Sequence, residues 1–228
     1  MKSPLRYQFS EYDCGPTTML NAVSYLFERE EIPPEIIRNV MLYSLDCYSQ
    51  NGEPGRAGTS RMAMMFLSNW LDGFGRATNL PLSSQYLSGK SVYIGQESFI
   101  NDALHRGGAA VVRLFYDVEH YALLTGELPD GRILMFDPWY VPEESDEFQG
   151  TGIEMSLQHP LAYNRIVPAD CFNREENAPY ALGPVEDREA VLLFNERTKK
   201  TAQATIQVDP EFSYAVTTRV IDGRAYLL

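Results

Sequence analysis

The sequence predicts an α+β fold, a helical part packed on an antiparallel sheet, from a change of hydrophobic period along the chain and a hairpin signal in its second half. In the first half the apolar residues recur at helical spacing, as in Met19, Leu20, Val23, Leu26 and Phe27. From Ala109 the character changes to short apolar runs parted by turn residues, the signature of strands. Two of those runs are joined by Glu127-Leu128-Pro129-Asp130-Gly131, whose Asp-Gly pair is a strong hairpin turn. Helices on one side and an antiparallel sheet on the other form two layers with a cleft between them.

In order along the chain, a first helix starts at Cys14 and runs to about residue 29, and a second covers 34–45. A Gly/Pro-rich connection over 51–58 leads to a third helix over 60–72, in which Met62, Met64, Met65, Phe66, Leu67 and Trp70 read as a core face. A helix over 98–105 completes a second helix pair. Strands follow over 110–115, 121–125, 132–136, 163–167 and 190–194. The segment 139–161 carries Glu143, Glu144, Asp146 and Glu147 and has two readings, a solvated acidic loop or a rim that selects basic substrates. Beyond residue 199, stretches 205–208 and 214–221 read as added strands, with Asp222-Gly223 as a turn. They either extend the sheet or contact a second copy. The 228 residues form a single domain without internal repeats, with a core over about 5–195 and a β extension over about 199–228.

Asp13-Cys14-Gly15-Pro16 carries the chemistry. A cysteine on the first turn of a helix has its thiolate favoured by unpaired N–H groups and the positive end of the dipole. Gln8, six positions earlier, offers an amide donor for an oxyanion. A nucleophilic thiol needs a base and the base an orienting partner. Of the three histidines, His120 opens the strand-like His120-Tyr121-Ala122-Leu123-Leu124-Thr125-Gly126, and the next strand runs into Asp137-Pro138. Antiparallel pairing brings the start of the first strand level with the end of the second, and so His120 beside Asp137.

Gln8, Asp13-Cys14-Gly15-Pro16, His120-Tyr121 with Gly126, and Asp137-Pro138 together resemble the bacteriocin-processing, double-glycine-leader family of papain-like cysteine peptidases. Weaker marks are Gly58-Thr59-Ser60 before the third helix, Gly107-Gly108 before a strand, and 189–194 as a late core strand, so the likeness spans about 5–195. It implies a papain-like fold with the active site between helical lobe and sheet. It also implies Cys14 as nucleophile, His120 as general base and acid, Asp137 as its orienter and Gln8 as oxyanion donor. Members of that family are commonly fused to a membrane-spanning ATP-binding-cassette transporter. The present sequence holds no P-loop motif and no apolar run of about 18 residues, so a stand-alone peptidase is expected, acting on a peptide that is basic or contains glycine. Two alternatives share the site: an acyltransferase or deamidase working through the same thioester, and a silent peptide-binding module.

The remaining candidates read as structure. Cys47 and Cys171 lack CxxC spacing and a histidine at ligand distance, so neither a metal site nor any other cofactor is expected. His105 ends a helix, where a cation is a common terminal feature, and His159 before Pro160 reads as a loop residue. Net charge of −12 and a pI near 4.7 argue against nucleic acid or an anionic membrane as partner. An odd number of unpatterned cysteines and no apolar leader before Cys14 predict a cytoplasmic protein.

Overall fold

A computed structural model describes residues 1–143, 145–201, 218–221 and 224–227. Helix α1 (Cys14–Leu26) buries Met19, Ala22, Val23 and Leu26, one apolar face at helical spacing. It stops three residues short of the expected end, where Phe27 turns extended and Glu28 and Glu31 cap a separate 3-10 turn reciprocally. Helix α2 (Pro34–Leu42) starts with proline at its first position, whose missing N–H costs nothing there, and buries only Ile36 and Val40. Helix α3 (Arg61–Ala77) is capped by the Ser60 hydroxyl, which accepts from the Ala63 N–H at 3.1 Å. It overruns the expected end at 72 through Gly73 and Gly75.

Gly75 is where α3 meets the first strand, β1 (Leu82–Ser88). A side-chain carbon there would sit 1.8 Å from the Leu82 carbonyl oxygen, so the crossing needs glycine. Helix α4 (Phe99–His105) follows, capped by Ser98, and then β2 (Ala109–Tyr116), β3 (Val118–Glu127), β4 (Ile133–Phe136), the short β5 (Glu154–Met155), β6 (Arg165–Val167), a one-turn α5 (Ala169–Phe172) and β7 (Glu189–Asn195). All seven strands pair antiparallel in the order β1-β7-β2-β3-β4-β6-β5. The α+β class is therefore as read from the sequence, with β1, β5 and α5 added.

The helical side differs from the expectation. Helices α1, α2 and α3 share one apolar core with Val111, Tyr121, Leu123, Phe136, Val191 and Leu193, whereas Ile100, Ala103 and Leu104 of α4 pack with Ala110, Val112, Ala122 and Leu124 on the opposite face. The 98–105 helix thus does not complete a helix pair with the others; it covers the far side of the sheet. An amphipathic helix specifies a buried face but not which side of a sheet it meets. With both faces covered, the central strands carry continuous apolar runs such as 190–194 of β7, and β7 is buried throughout, its polar ends Glu189 and Asn195 included. Only part of the methionine-rich face of α3 is core: Met64 and Leu67 are buried and Trp70 packs against them, while Met62 and Phe66 are exposed.

The 139–161 segment is more than a solvated loop. Val141, Phe148 and Ile153 are buried, and β5 attaches it to β6. Beyond residue 199, β8 (Thr218–Ile221) and β9 (Arg224–Leu227) pair with each other in a separate two-stranded sheet. The strand expected over 205–208, residues 214–217 of the next, and the Asp222-Gly223 turn lie outside the described residues, as does Glu144.

Candidate active site

The β3–β4 hairpin places the pair that its sequence foretold. Register runs Leu123 to Phe136, with a bulge between Leu124 and Gly126 taking up the odd residue. His120, third residue of β3, and Asp137, just past β4, consequently share a face, and His120 Nε2 lies 2.7 Å from Asp137 Oδ1. Both are buried, His120 at 6% and Asp137 at 0% exposure.

Cys14 arrives from the other layer. The Thr18 hydroxyl, one turn further along α1, donates to the Tyr121 carbonyl at 3.0 Å, which pins the first turn of α1 beside the start of β3. Cys14 there lies within electrostatic reach of the His120 ring. Burial alone would drive the imidazolium to lose its proton, but the Asp137 charge and hydrogen bond, reinforced by Cys14, raise its pKa to about 10. Burial would likewise raise Asp137; the His120 charge and hydrogen bond, Arg165 and the Trp139 N–H hold its carboxyl below the usual range.

Asp13 organises the approach to Cys14. Its carboxylate accepts from the Phe9 N–H at 2.9 Å, the Ser10 N–H at 2.6 Å, the Ser10 hydroxyl at 2.5 Å and the Thr17 hydroxyl at 3.2 Å. Desolvation opposes its charge, but these donors outweigh it and keep the group below its ordinary pKa. The 8–13 loop is thereby folded against the start of α1. Gln8 is tied to the other side of the site, its N–H donating to the Pro138 carbonyl at 2.9 Å. One hydrogen of its side-chain amide goes to the Ser10 carbonyl at 2.6 Å, and its Oε1 is buried without a hydrogen-bond partner.

Packing at Gly15 explains why Cys14 is followed by the smallest residue. A side-chain carbon at Gly15 would lie 2.8 Å from Thr59 Oγ1 and 2.9 Å from Thr59 Cβ, and the Thr59 hydroxyl is itself fixed by the Leu45 N–H at 3.1 Å. Gly15→Ala is expected to destabilise the protein by about 1–3 kcal/mol through overpacking. Urea unfolding checks this; a variant as stable as wild type would mean that the 45–60 connection yields freely.

Residues that the sequence did not single out complete the surroundings of Asp137. Its N–H donates to Asn164 Oδ1 and its carbonyl accepts from Asn164 Nδ2, each at 2.8 Å. Its carboxylate also accepts from the Trp139 N–H at 2.8 Å and from the Tyr180 hydroxyl at 2.9 Å. Arg165, in an otherwise apolar three-residue strand, carried a signal, since a charge on a buried strand demands partners. Tyr180 carried none. His105 pairs with Glu127 at 2.9 Å and His159 stacks on Tyr163 with ring centroids 4.3 Å apart, so neither joins this cluster. Cys14, Cys47 and Cys171 are all free.

Among the described residues no group of three or more His, Cys, Asp and Glu is arranged to hold a metal ion, and no helix is long and apolar enough to cross a membrane. No family model matches the sequence, and no curated protein matches it.

Proposed function

We propose that the protein is a papain-like cysteine peptidase that hydrolyses peptide bonds through Cys14, His120 and Asp137. The observation that carries this reading is the buried 2.7 Å bond from His120 Nε2 to Asp137 Oδ1 beside a cysteine on the first turn of a helix. With Nε2 committed to Asp137, the imidazole has Nδ1 for the thiol. Cys14 Sγ attacks the peptide carbonyl, and the Cys14 N–H together with the second hydrogen of Gln8 Nε2 receives the oxyanion. The protonated imidazole gives its proton to the leaving amine, which departs as the thioester forms. Water, deprotonated by the now neutral His120, then releases the acid and restores the thiol.

The papain-like assignment is supported by a nucleophile-bearing helix laid on an antiparallel sheet that carries base and orienter in the order Cys, His, Asp. Three free thiols suit a reducing compartment such as the cytoplasm. The test is incubation of wild type and Cys14→Ala with peptide libraries that include basic and Gly-Gly-containing sequences, followed by mass spectrometry. Cleavage by wild type alone supports a peptidase. Amide products formed only when an amine is added would instead assign acyl transfer, and tight binding without any product would assign a binding module. Gln8→Ala is expected to lower kcat on the order of 100-fold or more while leaving alkylation of Cys14 near the wild-type rate. Normal turnover in that variant would remove Gln8 from the oxyanion site.

A further inference from the structure

Tyr180 is fixed from every side. Its backbone is left-handed, at φ 64°, which a bulky residue adopts only where its surroundings enforce it. The N–H donates to the Phe115 carbonyl at 2.8 Å, and the ring stacks on Tyr116 and Phe148 at centroid distances of 5.8 and 5.5 Å. Its hydroxyl then has two partners: it accepts from Arg165 Nε at 3.2 Å and donates to Asp137 Oδ2 at 2.9 Å. A phenol has one proton, so the arginine determines where that proton points.

Arg165 is a fully buried cation. It donates to the carbonyls of Asn164 at 3.0 Å and Trp139 at 3.4 Å, and its guanidinium lies 5.5 Å from the Phe148 ring centroid. Among the described residues it forms no ion pair, and its charge acts on Asp137. A buried arginine without a carboxylate in contact is costly, and core packing alone would be served better by an apolar side chain.

We propose that Arg165 and Tyr180 are positioning residues of the reaction: Arg165 directs the Tyr180 hydroxyl at Asp137 Oδ2, and that bond fixes the carboxylate so that Oδ1 stays on His120 Nε2. The triad thereby extends inward to Tyr180 and Arg165. Its kinetic consequence rests on the peptidase reading; its structural consequence at His120 does not. The groups that face His120 are Cys14 from α1, Tyr116 from β2 and Asp137 after β4.

The experiment compares wild type, Tyr180→Phe, Arg165→Met and Tyr25→Phe, each with ¹⁵N-labelled histidine. Tyr25 donates a part-buried hydroxyl to the Thr125 carbonyl at 2.9 Å, and its loss reproduces the generic cost of deleting such a bond. The Nε2–H resonance of His120, assigned by its absence from His120→Ala, is expected to be sharp and slowly exchanging in wild type and Tyr25→Phe. In Tyr180→Phe and Arg165→Met it broadens or exchanges away. Peptide hydrolysis falls roughly tenfold in kcat with KM unchanged, the scale of one hydrogen bond to a charged group. Should Arg165→Met fail to fold, Tyr180→Phe carries the test alone. A folded Tyr180→Phe with the wild-type resonance and kcat overturns the proposal. If wild type hydrolyses no peptide yet the resonance responds to Tyr180→Phe, the peptidase reading fails and the positioning of Asp137 stands.

Discussion

Under the proposed peptidase mechanism, replacing His120 with alanine is expected to lower peptide hydrolysis by roughly 10²–10⁴-fold, the range over which a single general acid–base residue acts. The same change removes the positive charge beside Cys14. Because the pKa of His120 is raised to about 10, that charge is present throughout the neutral range in wild type. At pH 7 an unassisted thiol is only a few per cent thiolate, so iodoacetamide labelling of Cys14 at that pH is expected to slow roughly tenfold or more in His120→Ala. Peptide mass spectrometry provides its own references. Burial pushes the Cys47 and Cys171 thiols up, so both should label slowly and equally in the two proteins. Equal labelling of Cys14 in wild type and variant would remove the activated thiol, and with it every thioester reading of the site.

The pairing of His120 with Asp137 was legible because a hairpin fixes register from its turn, and two residues a hairpin apart can be placed opposite each other without knowing the rest of the fold. The bulge at Leu124/Gly126 shifts that register without separating them. What escaped reading is non-local. Strand β1, Leu-Ser-Ser-Gln-Tyr-Leu-Ser, is polar because it is an edge, paired only to β7 and covered by α3 on one side, and so lacks the apolar run that marks a central strand. The end of α3 was placed at 72, five residues early, because what carries the helix on through Gly75 is its close contact with the Leu82 carbonyl, a partner that no local pattern announces. The acidic residues of 139–161 concealed three buried anchors, Val141, Phe148 and Ile153, spaced too irregularly for either period. Tyr180 approaches Asp137 from 43 residues away through a loop with no pattern of its own.

Asp137→Asn is the substitution expected to affect activity and stability together. The carboxylate accepts from His120 Nε2, the Trp139 N–H and the Tyr180 hydroxyl, and an amide of the same shape must turn its NH₂ toward one of these donors. His120 loses the charged acceptor that orients its ring, so under the proposed mechanism kcat should fall by roughly 10²–10⁴-fold, like the loss of the proposed base. The buried His120–Asp137 pair is broken and the charge of Arg165 loses the carboxylate it acts on, so unfolding free energy should drop by about 3–5 kcal/mol. The pH dependence separates this from a simple packing defect. In wild type the His120 pKa is raised from 6.5 to about 10, so its contribution is fully present below pH 6.5 and is lost as pH rises through 10. The pKa of Asp137 is depressed below 3.8, so its contribution is present above that pH and is lost as pH falls through the lower native value. Wild type should therefore be steadiest between about pH 4 and 6.5 and weaken progressively toward pH 10. With asparagine at 137 the imidazolium loses its main support and keeps only the smaller one from Cys14, and the alkaline decline should flatten. Urea midpoints under reducing conditions at pH 6 and pH 9.5 measure both slopes. A wild type equally stable at the two pH values would mean that the His120–Asp137 pair contributes no linked free energy, and the activity loss in Asp137→Asn would then have to arise from orientation alone.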